Sequence, residues 1–121
     1  MTPKKTLVLG ASMNSWRYSN QAILCLASKE HPVIAVGVRE GMVGDVPVVK
    51  QFPPDKDIDT VTFYLNMSNQ EKYYDAVLAL KPKRIIFNPG AENPEFEKRA
   101  EDDGIEVLEA CTLTMLAVGL Y

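Results

Sequence analysis

The chain has 121 residues, 46% of them hydrophobic and 24% charged, which are the proportions of one ordinary globular domain and not of a disordered or fibrous chain. A net charge of −3 argues against non-specific nucleic-acid binding, which favours a basic face. No apolar run nears the roughly 20 residues that span a bilayer, and Met1-Thr2-Pro3-Lys4-Lys5 leads into a strand instead of a signal-peptide core, so a cytoplasmic protein with no membrane partner is expected.

The first predicted strand is Thr6 to Leu9, and Gly10-Ala11-Ser12-Met13-Asn14-Ser15-Trp16-Arg17-Tyr18-Ser19 follows it as a small-residue turn. Gly10 and Ala11 let the chain turn sharply, Ser12 and Ser15 offer hydroxyls, and Arg17 offers a planar cation. A helix is predicted from about Asn20 to Lys29, capped by Ser19 or Asn20, with Ile23, Leu26 and Ala27 sharing a face that Leu24 and Cys25 widen. A strand running through a turn into a helix aims backbone N–H groups and a positive dipole end at one spot, where phosphate is the usual occupant. The turn holds one glycine, so the full dinucleotide fingerprint is absent.

His31-Pro32 ends this helix, and Val33 to Val38 reads as a second strand, apolar on both faces. From Arg39 to Val49 the chain is punctuated by glycine, with room for a short edge strand at Val46 to Val49 and one helical turn near Pro54. The third main strand is Thr60 to Leu65. Ser68-Asn69-Gln70-Glu71 matches a capping box opening a helix to about Leu80, and Pro82 follows it. Arg84 to Asn88 is the fourth strand, and Pro89-Gly90-Ala91-Glu92 is a second small-residue turn. Asn93-Pro94 is a strong helix entry, Gly104 suits a left-handed helix end after Asp103, Ile105 to Glu109 is the fifth strand, and Thr112 caps a last apolar turn or two.

Strands alternating with helices predict an α/β, Rossmann-like, doubly wound sheet of five main parallel strands in order 3-2-1-4-5, with helices on both faces. Residues 1–121 then form a single domain. A ligand crevice is expected beyond the carboxyl ends of the strands where their order reverses, between strands one and four. Five segments meet on that edge: Gly10 to Ser19, Val38-Arg39, Leu65-Asn66 with the residues up to Ser68, Asn88 to Asn93, and Ala110 to Thr112.

Arg39 follows the second strand where an acid ordinarily binds a free ribose 2′-hydroxyl. A cation there suits a ribose phosphate, either the 2′-phosphate of NADP or the 3′-phosphate of coenzyme A, unless it is a solvated side chain beside Glu40. Arg17 either holds a diphosphate or stacks on Trp16 or Tyr18. Gly90 leaves room for close approach of a ligand to the backbone. Cys111 reads as a thiol near the crevice or as a small buried hydrophobe. His31, at the opposite edge, has no assigned chemistry. With two distant cysteines and one histidine, neither a zinc site nor a disulfide scaffold is expected.

These residues resemble a family, the small CoA-binding domain proteins, similar to the nucleotide-binding domain of the succinyl-CoA synthetase alpha subunit. The resemblance rests on Val8-Leu9-Gly10-Ala11-Ser12, Arg17-Tyr18-Ser19, Met42-Val43-Gly44, Asn88-Pro89-Gly90-Ala91-Glu92-Asn93, Gly104-Ile105 and Cys111. It implies a Rossmann-like domain that binds coenzyme A: Gly10, Ser12, Arg17 and Ser19 at the diphosphate, Arg39 at the ribose phosphate, and Pro89-Gly90 as a wall near the pantetheine. The chain departs from the family at Val36-Gly37-Val38, where valine-asparagine-proline is frequent, and at Leu65-Asn66-Met67, where arginines are frequent.

The leading expectation is a non-catalytic module for coenzyme A or an acyl-CoA, with no catalytic or metal-binding residue assigned. The ligase that the resemblance brings in works through a phosphohistidine and partner domains, so no ligase activity is expected of this chain, whose one histidine lies at the wrong edge. Two alternatives remain: an NAD(P)-binding redox or sensor module, with NADP as ligand, and a protein-interaction domain that has lost its ligand. The sequence specifies no protein partner.

Overall fold

A computed structural model describes residues 2–121. The apolar runs become the strands of one seven-stranded sheet: β1 (Thr6–Leu9), β2 (Val33–Val36), β3 (Gly41–Val43), β4 (Val46–Val49), β5 (Thr60–Phe63), β6 (Arg84–Phe87) and β7 (Glu106–Glu109). Their order across the sheet is β3-β4-β2-β1-β5-β6-β7. All pairings are parallel except the edge hairpin of β3 and β4. Every residue of β1, β5 and β6 is buried, as befits interior parallel strands covered from both sides.

Helix α1 (Tyr18–Ser28) and the short α5 (Thr112–Ala117) cover one face, where Ile23, Leu26 and Leu116 pack on Val8, Ala35 and Ile86. On the other face lie α2 (Met67–Gln70), a 3₁₀ turn (Glu71–Tyr73), α3 (Tyr74–Leu80) and α4 (Pro94–Asp102). There Tyr74, Val77 and Phe96 pack on Leu7, Phe63 and Phe87, with Phe96 set edge-on to both phenylalanines at 5.7 and 5.9 Å. The α/β, Rossmann-like class therefore holds. Among the described residues no helix is long and apolar enough to cross a membrane.

The strand order needs one correction. The predicted 3-2-1-4-5 arrangement set Thr60 to Leu65 outside the second strand, but β5 pairs with β1 on its other side, Leu9 opposite Phe63. The place beside β2 is filled by β4, through Ala35–Val48 and Val36–Val49. That short strand satisfies the open edge of β2, and β3, unforeseen in the sequence, closes the sheet margin beyond it. Order therefore reverses between β1 and β5, not between the first strand and Arg84–Phe87.

Local corrections follow the same logic of satisfied polar groups. Helix α1 begins at Tyr18 with Arg17 in the cap position and no capping side chain. Ser19 and Asn20, expected as caps, are buried. After β5 the cap is Asn66, whose side-chain oxygen accepts from the Asn69 N–H at 3.1 Å, and Ser68 instead donates to that same oxygen. Thr112 starts α5 and does not cap it; its N–H donates to the Asn88 side chain at 2.8 Å. No helical turn forms near Pro54. Asn93 does cap α4, accepting from Phe96 N–H, and Gly104 adopts φ 81° just after that helix.

Candidate functional site

The carboxyl edge of the sheet opens into a cleft of about 420 Å³ at the β1/β5 reversal. Gly10, Ala11, Ser12, Met13, Asn14 and Arg17 line it from the first turn. Val36, Gly37, Val38 and Arg39 line it from the end of β2, and Leu65, Asn69, Lys72 and Tyr73 from the segment after β5.

Two glycines make the close approach of these walls possible. Gly10 has φ 97°, a conformation that costs a side-chain-bearing residue considerable strain, and a Cβ there would sit 3.1 Å from the Tyr64 carbonyl carbon. A Cβ on Gly37 would lie 2.3 Å from the Ala11 carbonyl oxygen. The first turn is thereby clamped onto β2: Gly10 N–H and Ala11 N–H both donate to the Val36 carbonyl, at 3.0 and 2.9 Å. Asn20 holds the same turn from the helix side, its amide donating to the Ser12 carbonyl at 2.9 Å.

That clamp redistributes the donors expected of the turn. The N–H groups of Gly10 and Ala11 are committed to β2. Among the described residues, those of Ser12 and Met13 have no acceptor within the protein, nor do Tyr18, Ser19 and Asn20 in the uncapped first turn of α1. Such free amides at the positive end of an 11-residue helix suit an anion. Ser12 Oγ accepts from Asn14 N–H at 3.1 Å, so its hydroxyl keeps a proton to donate.

Arg17, Arg39 and Lys72 supply positive charge, and none belongs to any of the ion pairs formed by the described residues. Among the described residues, no carboxylate or imidazole lines the cleft. Tyr64 lies behind Gly10, and burial pushes its phenol up to about 12, which keeps it un-ionised at neutral pH. Among the described residues no group of three or more His, Cys, Asp or Glu side chains is placed to hold a metal ion.

Of the residues singled out in the sequence, Gly10, Ala11, Ser12, Arg17, Val38, Arg39 and Leu65 come together on this cleft. Ser15 is exposed outside it, Ser19 is buried in the first turn of α1, and Asn66 serves as the α2 cap. Pro89 and Gly90 are also outside it, because β6 stands one strand further from β1 than the predicted order had it. Cys111 is half-buried beyond β7. His31 lies at the opposite edge, buried, with Nδ1 accepting from Lys4 N–H at 2.9 Å.

Sequence reasoning placed the segment holding Met13 and Asn14 on the crevice edge without giving either a role, and it missed Val36, Gly37, Asn69, Lys72 and Tyr73. A signal for three of them was present: Asn69, Lys72 and Tyr73 stand at i, i+3 and i+4, one helical face, and the correct strand order aims that face at the cleft.

The model of a family described as the CoA binding domain matches residues 4–117. The chain belongs to the CoA binding domain family. Solved structures share its fold. A crystal structure of an uncharacterized protein is 43% identical, with all of both chains covered and a TM-score of 0.96. A cell-free protein, ID.343, from Thermus thermophilus is 24% identical, covering 98% of this chain and 91% of its own, with a TM-score of 0.84. A hypothetical protein from Pyrococcus horikoshii OT3 is 21% identical over 98% of this chain and 84% of its own, with a TM-score of 0.85. These last two speak for the fold alone. No curated protein matches the chain. The residues matched to the CoA binding domain model include the whole lining of the cleft.

Proposed function

We propose that this CoA binding domain holds coenzyme A or an acyl-CoA in the β1/β5 cleft, as a binding module without chemistry of its own. The diphosphate rests on the free N–H groups of Ser12, Met13 and the first turn of α1, with Arg17 as its counter-charge and the Ser12 hydroxyl as a further donor. Arg39 meets the ribose phosphate, Val38 borders the nucleoside, and Leu65 leads towards the pantetheine. Ser15, Asn66, Pro89 and Gly90, which lie outside the cleft lining, have no direct contact in this arrangement, and Ser19 contributes only its backbone N–H.

One observation carries the reading: Arg17, at the uncapped start of α1, lines the same cleft as Ser12, Met13 and Arg39, and neither arginine has a carboxylate partner among the described residues of an acidic protein. Charge-assisted contacts of this kind favour phosphate strongly, and arginine suits its planar recognition. A cleft of this volume is within the usual range for small-molecule sites.

Titration calorimetry with coenzyme A, acetyl-CoA, NADP and NAD tests the proposal. Saturable binding of coenzyme A or acetyl-CoA is the expected result, with NAD much weaker. Binding of NADP but not coenzyme A would transfer the cleft to a redox or sensor role, and binding of none would favour the interaction-domain alternative.

A further inference from the structure

The break between α2 and α3 places Lys72 and Tyr73 on the cleft wall, and neither has been given a role. Tyr73 is tied to a particular flank. Its ring stacks on Phe52, with centroids 6.1 Å apart and planes 30° from parallel. Phe52 follows β4, the strand beside β2, and the end of β2 leads into Arg39. The stack therefore ties the 3₁₀ turn to the β2/β4 side. Lys72 shares that turn, its ammonium 5.2 Å from the Tyr73 ring centroid, and it has no carboxylate partner among the described residues.

Two cations from different elements thus border the flank of the cleft where Arg39 stands, while Arg17 and the α1 amides belong to the first turn. A diphosphate alone brings two negative charges, and a ribose monophosphate adds nearly two more, as any phosphate monoester does near neutral pH. Three unpaired cations and a helix start match the larger total.

We infer that Lys72 is a specificity-determining residue, which together with Arg39 forms a two-cation subsite for the ribose phosphate, with Tyr73 braced by Phe52 as the apolar wall beside it. This rests on the proposed nucleotide reading of the cleft and deepens it. The subsite makes the cleft select nucleotides that carry a third phosphate over those that carry the diphosphate alone. Arg17 serves both kinds alike.

The test compares coenzyme A with 3′-dephospho-coenzyme A by calorimetry on the intact chain and on Lys72→Ala, Lys72→Arg, Arg39→Ala and Arg17→Ala. The unaltered chain is expected to prefer coenzyme A about a hundredfold, on the order of what two charged hydrogen bonds supply. Lys72→Ala and Arg39→Ala should each shrink that preference about tenfold, acting on coenzyme A alone, and Lys72→Arg should restore most of it. Arg17→Ala should weaken both ligands and leave their ratio unchanged. If Lys72→Ala weakens both ligands equally, or neither, the subsite is refuted while the binding site stands. If the intact chain binds neither ligand, the nucleotide reading itself fails.

Discussion

At the scale of single residues, the cleft exists because Gly10 and Gly37 lack side chains. The methylene hydrogens of Gly37 occupy space where any larger residue would strike the Ala11 backbone, and so β2 and the first turn close to hydrogen-bonding distance. At the other end of the sheet, His31 shows what the same close packing does to a titratable group. Burial lowers its pKa, and the nearby positive charges of Lys4, Arg84 and Lys29 lower it further. Its Nδ1 already accepts from Lys4 N–H, which fits a neutral ring. In the unfolded chain the imidazole titrates near 6.5. As pH falls below that value the unfolded state takes up a proton that the folded state resists, so stability is lost. Above about 6.5 the effect vanishes. Urea unfolding at pH 7.5 and at pH 5.5 should show lower stability at the acid pH, and His31→Asn should flatten the difference. An equal loss in that variant would assign the acid sensitivity to other groups.

At the scale of elements, one side chain joins three helical pieces. Asn93 caps α4 through Phe96 N–H, while its amide donates to Gln70 at 3.1 Å and to the Tyr74 hydroxyl at 2.5 Å. Gln70 in turn donates to the Leu65 and Ala91 carbonyls at 2.8 and 2.6 Å. Loss of a cap costs about 1 kcal/mol, and leaving buried partners unpaired costs about 1–3 kcal/mol more. Asn93→Ala should therefore destabilise the chain by about 2–4 kcal/mol in denaturant melts, and a loss below 1 kcal/mol would contradict the network.

This network also marks where sequence reasoning succeeded and where it stopped. The Asn93-Pro94 entry and the Gly104 exit were legible because they depend on local backbone chemistry, and the interior strands β1, β5 and β6 were legible because burial on both faces favours apolar and β-branched residues. The side of β1 that Thr60–Phe63 would join was not legible. That choice depends on whether Val46–Val49 first fills the open edge of β2, a contest between distant segments that no local pattern records. The consequence reached the site. The first turn and Arg39 were found, since both adjoin β1 and β2 in either order, but Pro89-Gly90 was placed where Asn69, Lys72 and Tyr73 stand.

At the scale of the molecule, charge and shape are distributed unevenly. The chain is acidic overall, yet its carboxyl-edge cleft carries three cations without carboxylate partners among the described residues. Of the cations elsewhere, Lys5, Lys83, Lys98 and Arg99 pair with acids, Lys5 with both Asp55 at 2.7 Å and Asp57 at 2.9 Å. Unpaired cations gathered around one cavity repel one another and are stabilised by an anionic occupant. The fold provides the rest of the receptor: α1 supplies its free amides from one face, and the 3₁₀ turn supplies Lys72 from the other.

The central claim is that a diphosphate rests on the first turn and the start of α1, and two-dimensional amide NMR during addition of coenzyme A tests it most directly. Saturable shifts are expected, centred on the N–H groups of Ser12, Met13, Tyr18, Ser19 and Asn20, with those of Gly10 and Ala11 shifting less because the Val36 carbonyl already holds them. Saturable binding that leaves these amides unmoved, or that moves chiefly those around Pro89 and Gly90, would contradict it.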